Sequence, residues 1–371
     1  MNKIFEKGGK LYWLHSTVDA FETFLHVPGT VTLKGSHVRD AIDLKRLLIL
    51  VVMAAAPAAL FGMWNVGYQH GLAMGQTGVH ILEYFWFGFL KVLPLYLVSY
   101  IVGLGIEFAS SQIRGEEVSE GYLVSGFFIP LIVPVDIPLW MLAVAVAFAV
   151  IFGKEVFGGT GMNIWNPALL TRAFLFFSYP NYMSGSDCWI AFKKGEVAVA
   201  DAFTGATPLA LDGPAQYGTG FWDLFIGTVP GSVGETSVIA ILLGAILLLW
   251  TGIASWKIMV GSVAGALLVG WIGQIAGITD IPFYMQLLYG GFAFGTVFMA
   301  TDPVTSCQTE CGKWIFGLLI GMLCIVVRLF NPGYAEGMML AILLCNTFAP
   351  LIDHCVTSVH ISRRDKQYNA A

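Results

Sequence analysis

Long apolar runs separated by short polar breaks dominate the chain. A bilayer-crossing helix needs about 20 mostly apolar residues. Candidate spans in the first half run from Arg46 to Tyr68, Val92 to Ala109, Tyr122 to Val135, Leu139 to Phe152 and Pro167 to Phe177. A further apolar piece, Val79 to Phe89, is short and reads as a re-entrant half-helix. The second half offers Thr236 to Ile253, Lys257 to Ile275, Phe283 to Met299, Trp314 to Leu329 and Ala335 to Ile352. The pattern predicts an all-α polytopic membrane protein of about ten transmembrane helices. The first 44 residues are mixed and polar, so no cleavable leader is expected. Trp13 to Val27 looks amphipathic and suits an interfacial helix or simple packing.

The two halves echo each other. Phe127 to Asp136 reads FFIPLIVPVD and is followed by an apolar helix, a Gly-rich break at Phe157-Gly158-Gly159 and another helix. Phe294 to Pro303 reads FGTVFMATDP and is followed by a helix, Asn331-Pro332-Gly333 and another helix. Five spans per half would make the halves inverted repeats, which place an ion or substrate path at their interface through broken helices. Such a five-plus-five arrangement resembles urea- and ammonium-channel architecture. The predicted organisation is an N-terminal segment 1–45, a first five-helix repeat 46–178, a polar loop 179–235, a second repeat 236–353 and a tail 354–371.

Composition supports the membrane reading. Of 371 residues, 57% are hydrophobic and 12% charged, against about 45–50% and about 25% in soluble domains; mean hydropathy is +0.74. The net charge of −5 leaves no polycationic face, so a nucleic-acid partner is excluded. Lys3, Lys7, Lys10, Lys34, Arg39, Lys45 and Arg46 fall before position 47, and Arg363, Arg364 and Lys366 follow the last span. The positive-inside rule then places both ends in the cytoplasm. It places the 179–235 loop on the opposite side, the periplasm if this is a bacterial inner membrane. Cys307 and Cys311 lack CxxC spacing, and Cys324 and Cys345 sit in apolar runs, so the six cysteines read as small buried hydrophobes.

Charged groups within spans are functional by default. Asp136, Glu155, Arg172, Asp302, Arg328, Glu336 and Asp353 lie at or near span ends. Lys154-Glu155 and Arg172 could pair or snorkel. Asp302, next to Pro303, could offer oxygen ligands to Na+, and Asp353 either does the same or caps a helix end. Glu116, Glu117 and Glu120 form an acidic cluster that could collect cations or simply be solvated. Phe292, Phe294 and Phe298 among Gly290, Gly291 and Gly295 form either a constriction or ordinary packing.

The polar loop carries the most unusual string, Asp201 to Leu209. Its Thr204-Gly205-Ala206-Thr207 matches a [Ser/Thr]-Gly-Ala-Thr flavinylation motif, with Thr204 where Ser is usual. Here the chain resembles the B-subunit family of the Na+-translocating NADH:quinone oxidoreductases, over almost its whole length. The likeness includes Ser36 to Asp40 before Asp43 to Arg46, Gly153 to Gly161, Asn163, Asn166 to Leu169, Arg172 to Phe174 and Met299 to Pro303.

The resemblance implies FMN joined through a phosphoester to Thr207, a non-covalent riboflavin, ubiquinone as electron acceptor and outward Na+ transport. It implies a six-subunit complex set in membrane lipid, in which the sister A, C, D, E and F subunits carry the other redox groups. It points to Thr207 with Thr204, Gly205 and Ala206 for FMN, and to Asn163 and Asn166 for riboflavin. For Asn166 an N-cap role before Pro167 is the competing reading. Phe127 and Phe128 are candidates to stack a quinone near the cytoplasmic face. Glu120, Phe294, Phe298, Asp302 and Asp353 match positions that the family associates with the sodium path. Two alternatives stand beside this reading: the equivalent flavin subunit of an Rnf ferredoxin:NAD+ oxidoreductase, and a passive channel, which has no use for the flavinylation string.

Overall fold

In lipid every backbone polar group must find its partner inside the chain, and a helix does this within one segment. A computed structural model describes residues 18, 34–36, 44–76, 79–115, 118, 121–185, 188–192, 205–209, 220–279, 281–331 and 336–370. Among the described residues the regular structure is helical and no strand occurs. The first half holds α1 (Leu44–Ala73), α2 (Ile81–Arg114), α3 (Tyr122–Ile132), α4 (Leu139–Gly153) and α5 (Pro167–Ser178). The second holds α6 (Phe221–Ile226), α7 (Val238–Trp250), α8 (Trp256–Ile275), α9 (Phe292–Phe294), α10 (Glu310–Phe330) and α11 (Met338–Ala370). The amphipathic stretch expected at Trp13 to Val27, the acidic cluster Glu116, Glu117 and Glu120, and Thr204 lie outside the described residues, apart from Val18.

Among the described residues six helices are long and apolar enough to cross a membrane, and α3, α5 and α7 are shorter apolar helices. The ten apolar segments are therefore not ten equal spans, and three boundaries differ from expectation. Val79 to Phe89 is no half-helix: it opens α2, a single helix of 34 residues, about 51 Å long. Nothing between Phe89 and Val92 breaks a helix, and Pro94 is accommodated inside it. Phe283 to Met299 is not one continuous helix: a 3-10 turn at Met285–Leu287 leads into α9, which passes directly into a π-turn at Gly295–Met299. The last helix does not stop near Ile352 but runs through Asp353 to Ala370, with Pro350 inside it.

Packing follows a common plan in the two halves. α4 packs between α2 and α5, as α10 packs between α8 and α11. The halves meet through α1 against α7 and α5 against α11. Small residues let membrane helices approach closely, and α8 and α10 depend on this. A Cβ on Gly265 would sit 2.3 Å from the Leu318 carbonyl oxygen, and one on Gly321 would sit 2.0 Å from that of Ser262.

Aromatic side chains crowd both ends of the bundle, as they do at membrane–water interfaces. Trp250, Trp256 and Trp314 are exposed at one end, where Lys257 pairs with Glu310. Trp140 and Tyr179 meet edge to face, and Phe221 and Trp222 are exposed, at the other. Cys307, Cys324 and Cys345 are buried, as expected of small hydrophobes, whereas Cys311 and Cys355 are exposed.

Candidate functional site

Two cavities lie at opposite ends of α1. The first, ≈ 200 Å³, is lined by Thr207, Pro208 and Leu209 of the polar loop, by Arg172 and Phe176 of α5, by the 229–236 segment and by Gly290 and Glu336. The second, ≈ 110 Å³, is lined by Leu47, Leu48 and Val51 of α1, Phe128 of α3, Lys154, Thr160, Asn163 and Asn166, and Phe298, Thr301 and Asp302. The far end of α1 reaches the first cavity, where Asn65 donates 2.9 Å to the Val229 carbonyl and Gln69 3.1 Å to that of Thr228. Val51 and Asn65 are 14 residues apart, about 21 Å along a helix.

The first cavity has a buried ionic floor. Arg172 donates 2.6 Å to Glu235 and also to Glu336, with all three side chains largely buried. Ser232 donates to the second Glu235 oxygen, and the Gly291 N–H donates 3.1 Å to Glu336. Arg328 sits behind, donating to the main-chain carbonyls of Gln286, Tyr289 and Glu336. Burial pushes the Glu235 carboxyl above its ordinary range, Arg172 opposes this, and Glu336 adds to it. Gly291 lets both carboxylates approach the backbone: a Cβ there would lie 2.4 Å from Glu235 Oε1 and 2.7 Å from Glu336 Oε1 and would displace them. Gly205 and Ala206 are buried, while Thr207 is half-buried on the cavity wall.

The second cavity is built by a turn. Gly158, Gly159 and Gly161 all take positive φ, and the turn carries Thr160 and Asn163 to the wall. Asn166 caps α5: its Oδ1 accepts from the N–H groups of Ala168 and Leu169, with Pro167 at the first helical position. Its amide donates 3.3 Å to Asp302 Oδ2. Asn163 donates 3.0 Å to the Trp165 carbonyl. Asp302 also accepts from the Val304 N–H and the Thr305 hydroxyl. Burial raises its pKa while these three donors lower it.

Between the cavities stands a ring cluster. Phe294 and Phe298 lie 4.9 Å apart by centroids, and Phe128 lies 5.8 and 5.9 Å from them. All three are buried.

The family profile of the NQR2, RnfD and RnfE proteins matches residues 31–362. The chain belongs to the NQR2, RnfD, RnfE family. Within it, the chain is 44% identical over 393 aligned positions to the B subunit of the Na(+)-translocating NADH-quinone reductase of Ectopseudomonas mendocina, covering 97% of this chain and 96% of that one. It is 43% identical to the protein of the same name from Chromohalobacter salexigens, covering 98% and 94%, and 43% identical to that from Azotobacter vinelandii, covering 97% and 96%.

The positions expected from this family gather unequally. Thr207 lines the first cavity, and the buried Gly205 and Ala206 precede it in the chain. Asn163, Asn166, Phe128, Phe298 and Asp302 share the second, and Phe294 packs on its inner wall. Phe127 leaves α3 toward Tyr96, 5.5 Å away, so it and Phe128 serve different surroundings. Asp353 stands apart, holding the start of α10: it accepts from the N–H groups of Gln308 and Thr309 and from the Thr309 hydroxyl. Asp136 is exposed at the break between α3 and α4.

Arg172 and Lys154 pair rather than snorkel. Of their partners, Glu336 is among the charged residues singled out in the sequence, whereas Glu235 and Glu107 are not. Glu107 had a visible signal, as a carboxylate deep in an apolar run; Glu235 sits where the polar loop gives way to α7.

Proposed function

We propose that this chain is the membrane subunit of a sodium-pumping NADH:ubiquinone oxidoreductase, holding FMN by the Thr207 hydroxyl and riboflavin in the Asn163–Asn166 cavity. One observation carries the reading: the motif threonine lies on the wall of a cavity with a buried ionic floor, and a second cavity with amide and aromatic walls lies toward the other end of α1. Flavins bound at two such places supply electron carriers able to link NADH chemistry to a quinone.

The chain's own groups suit this task. A phosphoester at Thr207 is a tether, which fixes position and leaves the ring chemistry to the cofactor. The small Gly205 and Ala206 side chains keep bulk away from the tethered group. The Arg172–Glu235–Glu336 floor has its polar groups hydrogen-bonded to one another, so it offers a preorganised polar surface. In the second cavity Asn163 keeps its Oδ1 and one amide hydrogen, and Asn166 one amide hydrogen, beyond the bonds described above. Phe128 and Phe298 give that cavity flat apolar walls. These free groups and faces fit the edge and faces of a planar ring system.

In this reading both termini are cytoplasmic in a bacterial inner membrane, and the Thr207 loop is periplasmic. The basic residues before α1 support that orientation. So does the arrangement of α1 and α11, since α1 begins and Asp353 of α11 lies toward the second-cavity end. Sodium then moves outward past Glu120, Asp302 and Asp353, with Phe294 and Phe298 as the constriction. Ubiquinone is reduced near the cytoplasmic face beside α3, where Phe127 and Tyr96 offer an aromatic surface. The halves act as inverted repeats with the path between them, a reading supported by their shared order of elements. The packed rings of Phe128, Phe294 and Phe298 speak against a passive open pore.

Mass spectrometry of the peptide containing Thr207, from the purified complex, tests the tether. An added mononucleotide on that residue is expected; an unmodified peptide from an active complex would overturn the proposal.

A further inference from the structure

Lys154 and Glu107 form a buried ion pair, with side chains 3% and 2% exposed. Lys154 follows the last turn of α4, and its ammonium also stands 5.9 Å from the Tyr122 ring centroid. It is the only cation among the described residues that line the second cavity. The anion there, Asp302, is already engaged by three donors. The tie between α2 and the 155–157 turn does not depend on this pair. Ser110 donates 2.6 Å to Glu155, and Arg114 bonds both the Glu155 carboxylate and its main-chain carbonyl. A buried ion pair is weak evidence for stability, because well-packed apolar residues do as well or better. An ionisable pair at membrane depth beside a cavity calls for another role.

We propose that Lys154, backed by Glu107, sets the electron affinity of the planar ring held in the Asn163–Asn166 cavity. The inference rests on the flavin reading of that cavity and adds to it a residue that tunes the ring. A desolvated ammonium favours the electron-rich reduced ring over the oxidised one, so it raises the ring's midpoint potential. Glu107, on the far side of the ammonium, offsets part of that field. In this proposal Lys154, in the wall of the cavity, acts on the ring through its charge, whereas Glu107 is a positioning residue that holds and partly neutralises the ammonium.

The two partners then act in opposite directions, which a purely structural pair cannot do. The test uses the intact solubilised complex, with non-covalent flavin counted after denaturation and midpoints read by spectroelectrochemical titration. Lys154→Met is expected to lower one flavin midpoint, with a tenfold change in the ratio of reduced to oxidised ring corresponding to about 59 mV for a one-electron couple. Glu107→Gln is expected to raise the same midpoint, and Lys154→Arg to retain it. Lys154→Met/Glu107→Gln leaves no unpaired buried charge and is expected to fall between the singles, which covers the case where Lys154→Met fails to assemble. Flavin present with all midpoints unmoved, or shifts of the same sign in both single variants, overturns the proposal alone. Absence of any released flavin from the wild-type complex overturns the flavin reading and the proposal with it.

Discussion

Arg172 is the most exposed weakness of the first cavity, and Arg172→Met is the sharpest test of its electrostatics. The guanidinium is 5% exposed and bridges Glu235 and Glu336. Without it each carboxylate keeps one donor, Ser232 for Glu235 and the Gly291 N–H for Glu336. Removing one partner of a buried ion pair costs about 3–5 kcal/mol, a large part of a typical stability of about 5–15 kcal/mol. The loss is expected to depend on pH. Glu235 is held above its unfolded value of about 4.5 by burial and by Glu336, with Arg172 opposing. An acid whose folded pKa is raised binds more protons folded than unfolded between the two values, so stability falls as pH rises through that window. Deleting Arg172 raises the folded value further and extends the window upward. Thermal unfolding of the solubilised complex at pH 5.5 and pH 8 reads this directly. The variant is expected to lose far more at pH 8, and Arg172→Met/Glu235→Gln to recover most of the loss there. Equal destabilisation at both pH values, or no recovery in the double variant, would refute the argument.

Three further outcomes are expected. Thr207→Ala should abolish NADH-to-quinone turnover and the fluorescent flavin band that survives SDS, while the complex still assembles; full turnover contradicts the role given to Thr207. Phe298→Ala removes a ring packed 4.9 Å from Phe294, at a cost of about 3–5 kcal/mol. It should lower sodium uptake per NADH oxidised in proteoliposomes without lowering flavin content, and an unchanged ratio defeats the constriction. Asp353→Asn keeps an acceptor for the start of α10 but removes its charge, costing about 0.3–1 kcal/mol. It should shift the sodium dependence of turnover more than flavin content, and a superimposable sodium titration removes Asp353 from the path.

Hydropathy reveals where apolar segments lie but not how far each helix runs. α2 absorbed a segment that looked separate because Lys91 only resembles a break, and Pro94 is accommodated within the helix; inside lipid a proline's freed carbonyl can be satisfied by neighbours. The opposite error came at Phe283 to Met299, where composition suggested a span. There Gly290 and Gly291 admit two carboxylates against the backbone, and the helix survives only as α9 and its π-turn. The continuation of α11 through Asp353 was hidden because an acidic residue after an apolar run reads as an end. Thr207, Asn163 and Asn166 stand out in the sequence because the motifs that carry them are local, and all three line the two cavities. Glu235 and Glu336 were not legible as a pair: Arg172 meets them across 63 and 164 residues of chain. Lys154 meets Glu107 across 47 residues. No window along the sequence spans such contacts.

The two cavities are joined by elements that suit mechanical linkage. α5 carries Asn166 at one and Arg172 at the other, six residues or about 9 Å apart along the helix. The second link begins at Gly291, whose N–H is held by Glu336, and continues through Phe294, the π-turn and Phe298 to Asp302, which holds Asn166. The loop closes on itself: Arg172 grips Glu336, Glu336 grips Gly291, and Asp302 grips the cap of the helix that bears Arg172. A full α-helix in place of α9 would make this ring of contacts stiff throughout. The π-turn, closed by the Ala300 N–H on the Gly295 carbonyl at 2.7 Å, is an irregular joint of the kind often found at functional sites. The π-turn thus lies on the chain of contacts that runs from Glu336 and Gly291 to Asp302, and Phe298 is the ring that it carries.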